Sequence, residues 1–309
     1  MNDIAIASFF YSRPDSSKRL LNQLLSLKQE RGFVYYLFVD RASDNASQEV
    51  KHRNAEVIEL VSKCAIQLQA NLIVRDLNFG LSKSLLDGIN EVFIKHEKVV
   101  VFEDDISLAP HALSYFKNAL EKYESNQTIY GIAGNSFADK KAQNHLPEAY
   151  LLPIATSWGG ATWKQKWFDF TNLESQVLFD QVAEKGFDRF NFGGYPYKRL
   201  FEKLLAKEVN SWAILYYAQL YLKDGLFLFP KHPVSENFGF NKDATHSKSQ
   251  NTFAQNANGN ALLPILPKEI ELDENVLQTM KEAFARNLSK HHANSIQGQF
   301  KALIKKILK

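Results

Sequence analysis

A mostly parallel, doubly wound α/β sheet flanked by helices is the fold this sequence predicts, on two observations. The first is alternation: apolar strand-like runs and amphipathic stretches follow one another five times in about the first 135 residues, the rhythm of parallel strands joined by crossover helices. The second is the stretch VVVFEDDI, residues 99–106, in which four apolar residues run straight into Glu103, Asp104 and Asp105. A continuous apolar run of that length reads as a strand buried on both faces, in the middle of a parallel sheet.

Taken in order, Ile4 to Phe10 is a short apolar strand, broken by YSRPDSS, whose Pro14 and following Ser and Asp residues start a helix from about Ser17. Arg13 therefore sits in a strand-to-helix turn. FVYYLFVD repeats the pattern, an apolar strand ending in Asp40. Residues 47–69 are helical by period, NLIVRD is a third strand, and LNFGLSKSLLDGINEVFIKH is a turn at Gly80 followed by a helix. VVVFEDDI is the fourth strand, residues 110–123 the fourth helix, and TIYGIAG the fifth strand.

Ligands of open α/β sheets bind outside the carboxyl ends of the strands, which puts Glu103, Asp104 and Asp105 on the rim of a crevice. Adjacent carboxylates repel one another, and a cation is the usual reason to tolerate that. Hard oxygen ligands suit Mg2+ or Mn2+, which usually fill their remaining positions with substrate phosphates. The alternative is that these acids only end the strand and cap the helix after Pro110. Asp40, at the matching place on the second strand, can accept hydrogen bonds from a ribose or base edge, or can simply be the turn residue before RASDNAS. Neither GxGxxG after the first strand nor GxxxxGK[ST] anywhere is present, so phosphates must be held another way.

After about residue 135 the sequence becomes aromatic-rich and irregular, with Trp158, Trp163 and Trp167 within ten residues. Tryptophan faces stack on the C–H faces of sugars, although a ring cluster is more often core. In SWGGATW the paired glycines Gly159 and Gly160 let the backbone approach a ligand closely. VNSWAILYYAQLYLKDGLFLFP reads as a helix ending at Asp224-Gly225 and then a strand. ENFGFNKDATHS follows as a polar loop carrying Asn237, Asp243, Thr245 and His246, the last able to meet a phosphate or metal or simply to face water.

At 309 residues the chain holds one large α/β domain or two smaller ones, and 45% hydrophobic and 23% charged residues are ordinary for a globular protein. MNDIAIASFF lacks the pattern of a signal peptide, and no run approaches the roughly 18 apolar residues of a membrane span, so the expectation is a cytoplasmic protein. The single cysteine, Cys64, excludes an internal disulfide and a cysteine-cluster metal site, and its setting suggests packing. Net charge is +3, but residues 281–309 alone carry +6, leaving −3 on the preceding 280. In QFKALIKKILK, Phe300, Leu303, Ile304, Ile307 and Leu308 share a helical face bordered by Lys301, Lys305, Lys306 and Lys309. That suits a helix lying on an anionic membrane surface, and equally one docked on the protein's own core. No aromatic-basic interleaving accompanies the lysines, which speaks against a nucleic-acid partner.

With these segments in view, the sequence resembles glycosyltransferases of the GT-A fold, especially bacterial sugar transferases similar to N-acetylglucosaminyltransferase I. The resemblance runs in order through YSRP at 11–14, FVD at 38–40, LNFGLSKSLLDGI at 77–89, VVVFEDDI, SWGGATW, NSWA at 210–213 and NFGFNKDATHS at 237–247. It implies a nucleotide-sugar-binding half over residues 1–135, with a variant DXD motif written here as EDD. It further implies an acceptor-binding half of the same domain over 136–260 and a helical basic tail over 261–309.

Carried over by position, Asp105 resembles the direct metal ligand on the donor diphosphate, supported by Asp104 and Glu103. Arg13, Asp40, Asn78 and Lys83 resemble nucleotide-sugar contacts; Trp158, Gly159 and Gly160 resemble part of the donor-sugar and acceptor floor; His246 resembles a histidine near the diphosphate. At the place where an inverting member carries its general base stands Asn210, an amide that takes no proton at neutral pH, so Glu236 and Asp243 become the candidates. The expected activity is metal-dependent transfer, with Mn2+ or Mg2+, from a nucleotide-sugar donor to a hydroxyl of a glycan or lipid-linked glycan, as in surface glycan or lipopolysaccharide assembly. An enzyme with such an acceptor would lie on the inner face of the membrane. The rival readings are a catalytically silent sugar- or nucleotide-binding protein of this fold, which Asn210 favours, and a sugar nucleotidyltransferase, whose Gly-rich start IASFFYSRPD does not match.

Overall fold

A computed structural model describes residues 3–168, 174–239 and 262–307, with backbone only for residue 168 and residues 291–307. Strand and helix alternate through β1 (Ile4–Phe10), α1 (Pro14–Leu27), β2 (Phe33–Val39), α2 (Gln48–Leu68), β3 (Asn71–Val74), α3 (Leu81–Phe93) and β4 (Lys98–Glu103). All seven residues of β1 are buried, as expected of an apolar run between two helical layers. Pro14 occupies the first turn of α1, where its fixed φ suits the helix and its missing N–H costs nothing. Ser47 caps α2 by accepting from the Val50 N–H.

The acidic stretch is not one strand. β4 ends at Glu103, Asp104 and Asp105 form a turn, and β5 (Ile106–Leu108) leaves the sheet to pair antiparallel with β10 (Ser235–Asn237). After β5 come α4 (Ala112–Lys122), β6 (Ile129–Ala133), α5 (Lys140–Gln143), β7 (Ala149–Leu152), β8 (Gly160–Trp163) and α6 (Lys164–Phe168). Then follow α7 (Ser175–Lys185), α8 (Phe187–Phe190), a 3-10 turn at Phe192–Gly194, α9 (Tyr197–Leu205), α10 (Trp212–Leu222), β9 (Leu226–Pro230), β10 and α11 (Glu274–Ile307).

Among the described residues the main sheet has eight strands in the order β3-β2-β1-β4-β8-β6-β9-β7. β3, β2, β1 and β4 run parallel, and β6 runs parallel to β9. β8 is antiparallel to both β4 and β6, and β7 is antiparallel to β9 at the edge. The sheet is mixed and mostly parallel, as the alternation in the sequence predicts. SWGGATW therefore contributes a central strand as well as a loop, and only backbone pairing with β4 and β6 could have shown that.

Each face of the sheet carries its own core. On one, Leu20 and Leu24 of α1, Val57 and Val61 of α2, and Leu113 and Phe116 of α4 pack together. On the other, Leu85 and Ile89 of α3, Tyr216 and Tyr217 of α10, and Met280 and Phe284 of α11 do so. Trp163 and Trp167 are core residues, 5% and 2% exposed, with their indole N–H groups donating to Leu120 O and Asn90 Oδ1. Cys64 is buried in α2, and burial pushes its thiol up to about 11, which makes it inert. Among the described residues, no helix is long and apolar enough to cross a membrane.

Gly131 of β6 leaves room for a ring: a methyl group there would lie 2.2 Å from Phe227 Cζ, and Phe227 is 2% exposed. Gly131→Ala is expected to lower stability by about 1–3 kcal/mol, because overpacking outweighs the alanine's lower chain entropy. A denaturant midpoint equal to or above that of the wild type, at unchanged slope, would contradict this packing.

Candidate active site

The parallel strands end level with one another: Phe10 of β1 pairs with Val39 of β2, and Phe9 with Glu103 of β4. The residues just beyond, Arg13, Asp40, Asp104 and Asp105, therefore converge on one edge. Buried Asn54 of α2 helps fix that edge, donating to Tyr11 O and Asp40 O and accepting from the Ala42 N–H.

Arg13 is the centre of the cluster. Pro14 behind it favours extended backbone, and from that turn its guanidinium reaches Asp104 Oδ1 at 2.7 Å and Asp105 Oδ2 at 2.8 Å. Asp104 is 3% and Asp105 8% exposed, so they lie deeper than open rim residues. What covers them is the strand pair β5–β10 and the residues after it. The Phe238 N–H donates to Asp105 O, Asn237 Nδ2 lies 3.4 Å from Asp105 Oδ1, and a side chain on Gly239 would strike Asp105 Oδ2. α1 braces this cover, with Gln23 bonded to Ser107 and Leu108 and the Arg19 guanidinium 4.4 Å above the Phe238 ring.

Glu103 turns the other way, accepting at 3.4 Å from the Trp212 indole N–H. Burial, then Asp105 and Asp104, hold its carboxyl well above the ordinary carboxylate range, against the pull of Arg13 and Trp212. Burial also raises Asp104, to about 7, with Arg13 opposing. Asp40, 5% exposed, accepts from the Phe79 N–H at 3.1 Å, and burial raises its pKa too.

The remaining sequence-derived candidates separate. Asn78 is exposed and donates to Arg41 O, close to Asp40. Lys83 is exposed, paired with Asp87 and 4.9 Å over the Phe79 ring. Asn210 accepts from Ser82 Oγ at 2.6 Å, which anchors the NSWA segment on α3, while two residues later Trp212 reaches Glu103. Glu236 is half-buried in β10, opposite Ser107. Asp243, Thr245 and His246 lie outside the described residues.

The two glycines serve protein contacts rather than open space. Gly159, at φ +78°, would put a side chain 2.6 Å from Ser235 Oγ, and Gly160 one 3.1 Å from Ile132 O. Ser235 Oγ donates to Trp158 O at 2.6 Å, and Gly134 O accepts from Val234 and Ser235. Trp158 itself, half-buried and edge-on to Phe137 at 5.4 Å, borders an aromatic cavity of about 160 Å³. A smaller void beside it shares Thr156 and Ser157 and is lined by Trp212. Sequence reasoning missed Tyr195, Tyr197 and Phe284 in this wall, since no local pattern marks residues that meet across long separations.

Among the described residues no three His, Cys, Asp or Glu side chains form a metal-holding group. The donor set fits a different kind of metal site. Asp105 and Asp104 offer hard oxygens, and Asp104 Oδ2 is buried without a partner among the described residues. One or two carboxylates completed by phosphates is how Mg2+ is usually held, and this cluster suits that better than a protein-only cage.

No family model matches the sequence. An alpha-1,3-mannosyl-glycoprotein 2-beta-N-acetylglucosaminyltransferase from Arabidopsis thaliana is 22% identical over 168 residues, 52% of this chain; the match spans 37% of that relative's length. Among solved structures, glucosyl-3-phosphoglycerate synthase from Mycobacterium tuberculosis with Mn2+, UDP and phosphoglyceric acid aligns at TM-score 0.36 and 11% identity, over 60% of this chain and 66% of that one. The same enzyme with Mg2+ and UDP gives 0.35 and 11%, over 60% and 67%.

The raised Glu103 carboxyl has a measurable consequence in chelator-treated protein. A folded-state pKa above the unfolded one means that folding retains a proton, so this group's contribution is full at low pH and is lost as pH rises through the folded value. Glu103→Gln is expected to melt near the wild-type temperature at pH 5 and above it at pH 8. Equal differences at both pH values would refute the raised carboxyl.

Over about half of its length the chain is similar in sequence to an N-acetylglucosaminyltransferase, a match that spans little more than a third of that relative.

Proposed function

We propose that the chain transfers a sugar from a nucleotide diphosphate donor to an acceptor hydroxyl. The observation that carries this reading is the cluster itself: three carboxylates and one arginine at the aligned ends of parallel strands, backed by an aromatic cavity. A structural cap does not need so costly a concentration of buried charge.

In this reading the nucleoside lies against Asp40 and Asn78, with Tyr11 between them and the acids. Asp105, with Asp104, would hold Mn2+ or Mg2+, which when bound neutralises charge developing on the leaving diphosphate. Arg13 keeps both carboxylates oriented and lends its own positive charge to the same place. Glu103, whose carboxyl is pushed toward its neutral form by burial, accepts from the Trp212 indole N–H and so ties the acidic turn to α10.

Asn210 binds Ser82 and takes no proton, which leaves Glu236 as the described carboxylate proposed for the acceptor's proton. Its position in β10, two residues before the Phe238 N–H that meets Asp105 O, keeps it near the acidic turn. Inversion at the anomeric carbon goes with this assignment.

The test is a panel of UDP-, GDP-, CMP- and dTDP-sugars, scored by calorimetry with Mn2+ and with EDTA. One donor is expected to bind, and at least tenfold more weakly with EDTA or in Asp105→Ala. Glu236→Gln is expected to keep that binding and to lower donor turnover by about 10²–10⁴. Binding of no donor under any condition would favour the silent binding protein that Asn210 also suits.

A lipid-linked glycan acceptor at an anionic membrane surface is the finer part of the proposal, and it rests on the sequence pattern of Phe300 to Lys309. Removing residues 296–309 is expected to abolish co-sedimentation with phosphatidylglycerol vesicles and leave donor binding intact. A shortened chain that still pellets with the vesicles would remove the membrane role.

A further inference from the structure

The aromatic cavity lies beyond the acidic cluster, and of its walls only Trp158 has been given a part so far. It is a half-open pocket between the loop before β8, α10, the start of α9 and the docked part of α11, with Phe137, Trp158, Tyr195, Tyr197, Tyr217 and Phe284 on its walls. Resting on the glycosyl-transfer reading, we propose that it binds a compact apolar group, an alkyl or aryl moiety of about six carbons, carried by the acceptor next to its reacting hydroxyl.

Size is the first support. Its volume of about 160 Å³ is close to the ~150 Å³ of an engineered apolar cavity that takes up benzene, which sets the size of group it can seat.

Rigidity is the second. The walls do not close on the space because they already touch each other. Phe137 meets Trp158 and Phe284 edge-on, each at 5.4 Å, and Tyr197 lies 4.6 Å from Tyr195 and 4.5 Å from Tyr217. α11 is seated as closely as backbone allows, since a side chain on Gly193 would lie 2.5 Å from Phe284 Cβ, and Arg286 grips Asp139 through two bonds of 2.8 and 2.9 Å. The opening is therefore built into the packing.

The chemistry of the lining selects the ligand. A pyranose ring carries hydroxyls on every side, and each one buried needs a partner. Of the five hydroxyls on the lining, those of Tyr217 and Thr156 are already bonded, to Phe190 O and Asn135 Oδ1. A body without hydroxyls meets the rings at no such cost. The polar strip at Thr156 and Ser157 faces the smaller void, and from there Trp212 leads to Glu103. An acceptor would thus lay its apolar end among the rings and its hydroxyl toward the carboxylates.

The probe for the test is 4-fluorobenzyl alcohol, followed by ¹⁹F NMR line broadening with the full chain, with trifluoroethanol as the small control. Saturable broadening by the aryl alcohol but not by the control is expected. It should weaken at least tenfold in Ala213→Leu and in Leu200→Phe, both of which fill the cavity, in whichever of them keeps the wild-type melting temperature. Absence of saturable broadening, or full broadening in a folded, filled variant, would overturn the proposal. Donor binding to the same samples tests the glycosyl-transfer reading separately, since no residue of the donor site is altered.

Discussion

Everything around the carboxyl ends of the parallel strands answers one constraint, the cost of placing Glu103, Asp104 and Asp105 together out of water. Removing two charges from solvent costs several kcal/mol each unless geometry returns it. Arg13 returns it for the two aspartates with paired contacts of 2.7 and 2.8 Å. At Glu103, burial and the neighbouring aspartates push the carboxyl toward its neutral form beside Trp212. The two solutions use different parts of the chain, a turn after the first strand and a helix some 200 residues later. The cluster can exist only in the completed fold.

The second half is held to the first where three backbones cross. Gly134, Gly159 and Ser235 approach so closely that a side chain on either glycine would collide with the serine hydroxyl. That hydroxyl in turn donates to Trp158 O. Through this crossing the loop lining the cavity, the strand pair covering Asp105 and the core strand β6 share one rigid point. A displacement of Trp158 therefore cannot be independent of the cover over the acids.

The parallel half was legible because each of its strands is a continuous apolar run whose ending is chemically marked, at Arg13 after β1, Asp40 after β2 and Glu103 after β4. Those marks carry information locally. The antiparallel insertion of β8 was not legible, because four residues, GATW, preceded by Gly159 have no period of their own, and their state is fixed by pairing with Val101 and Ile132. Glycine signals a close approach without saying to what, and among the described residues the close neighbours of Gly159 and Gly160 are Ser235 and Ile132. Trp163 and Trp167 went to the core, as ring clusters usually do, while Trp158 stayed at the cavity. The acid–arginine pairing spans 92 residues, a distance that only the register of β1 against β4 makes short.

The docked turns of α11 bear on how a basic tail can act. Phe284 is part of the cavity wall and Arg286 is tied to Asp139, so this end of the helix is fixed relative to the carboxylates. The helix continues to Ile307, and at 1.5 Å per residue Lys301 lies about 25 Å further along its axis than Phe284. In the proposed reading, attachment to a surface would belong to the far end of this helix and acceptor selection to Phe284 at its near end, two functions kept apart by the length of helix between them.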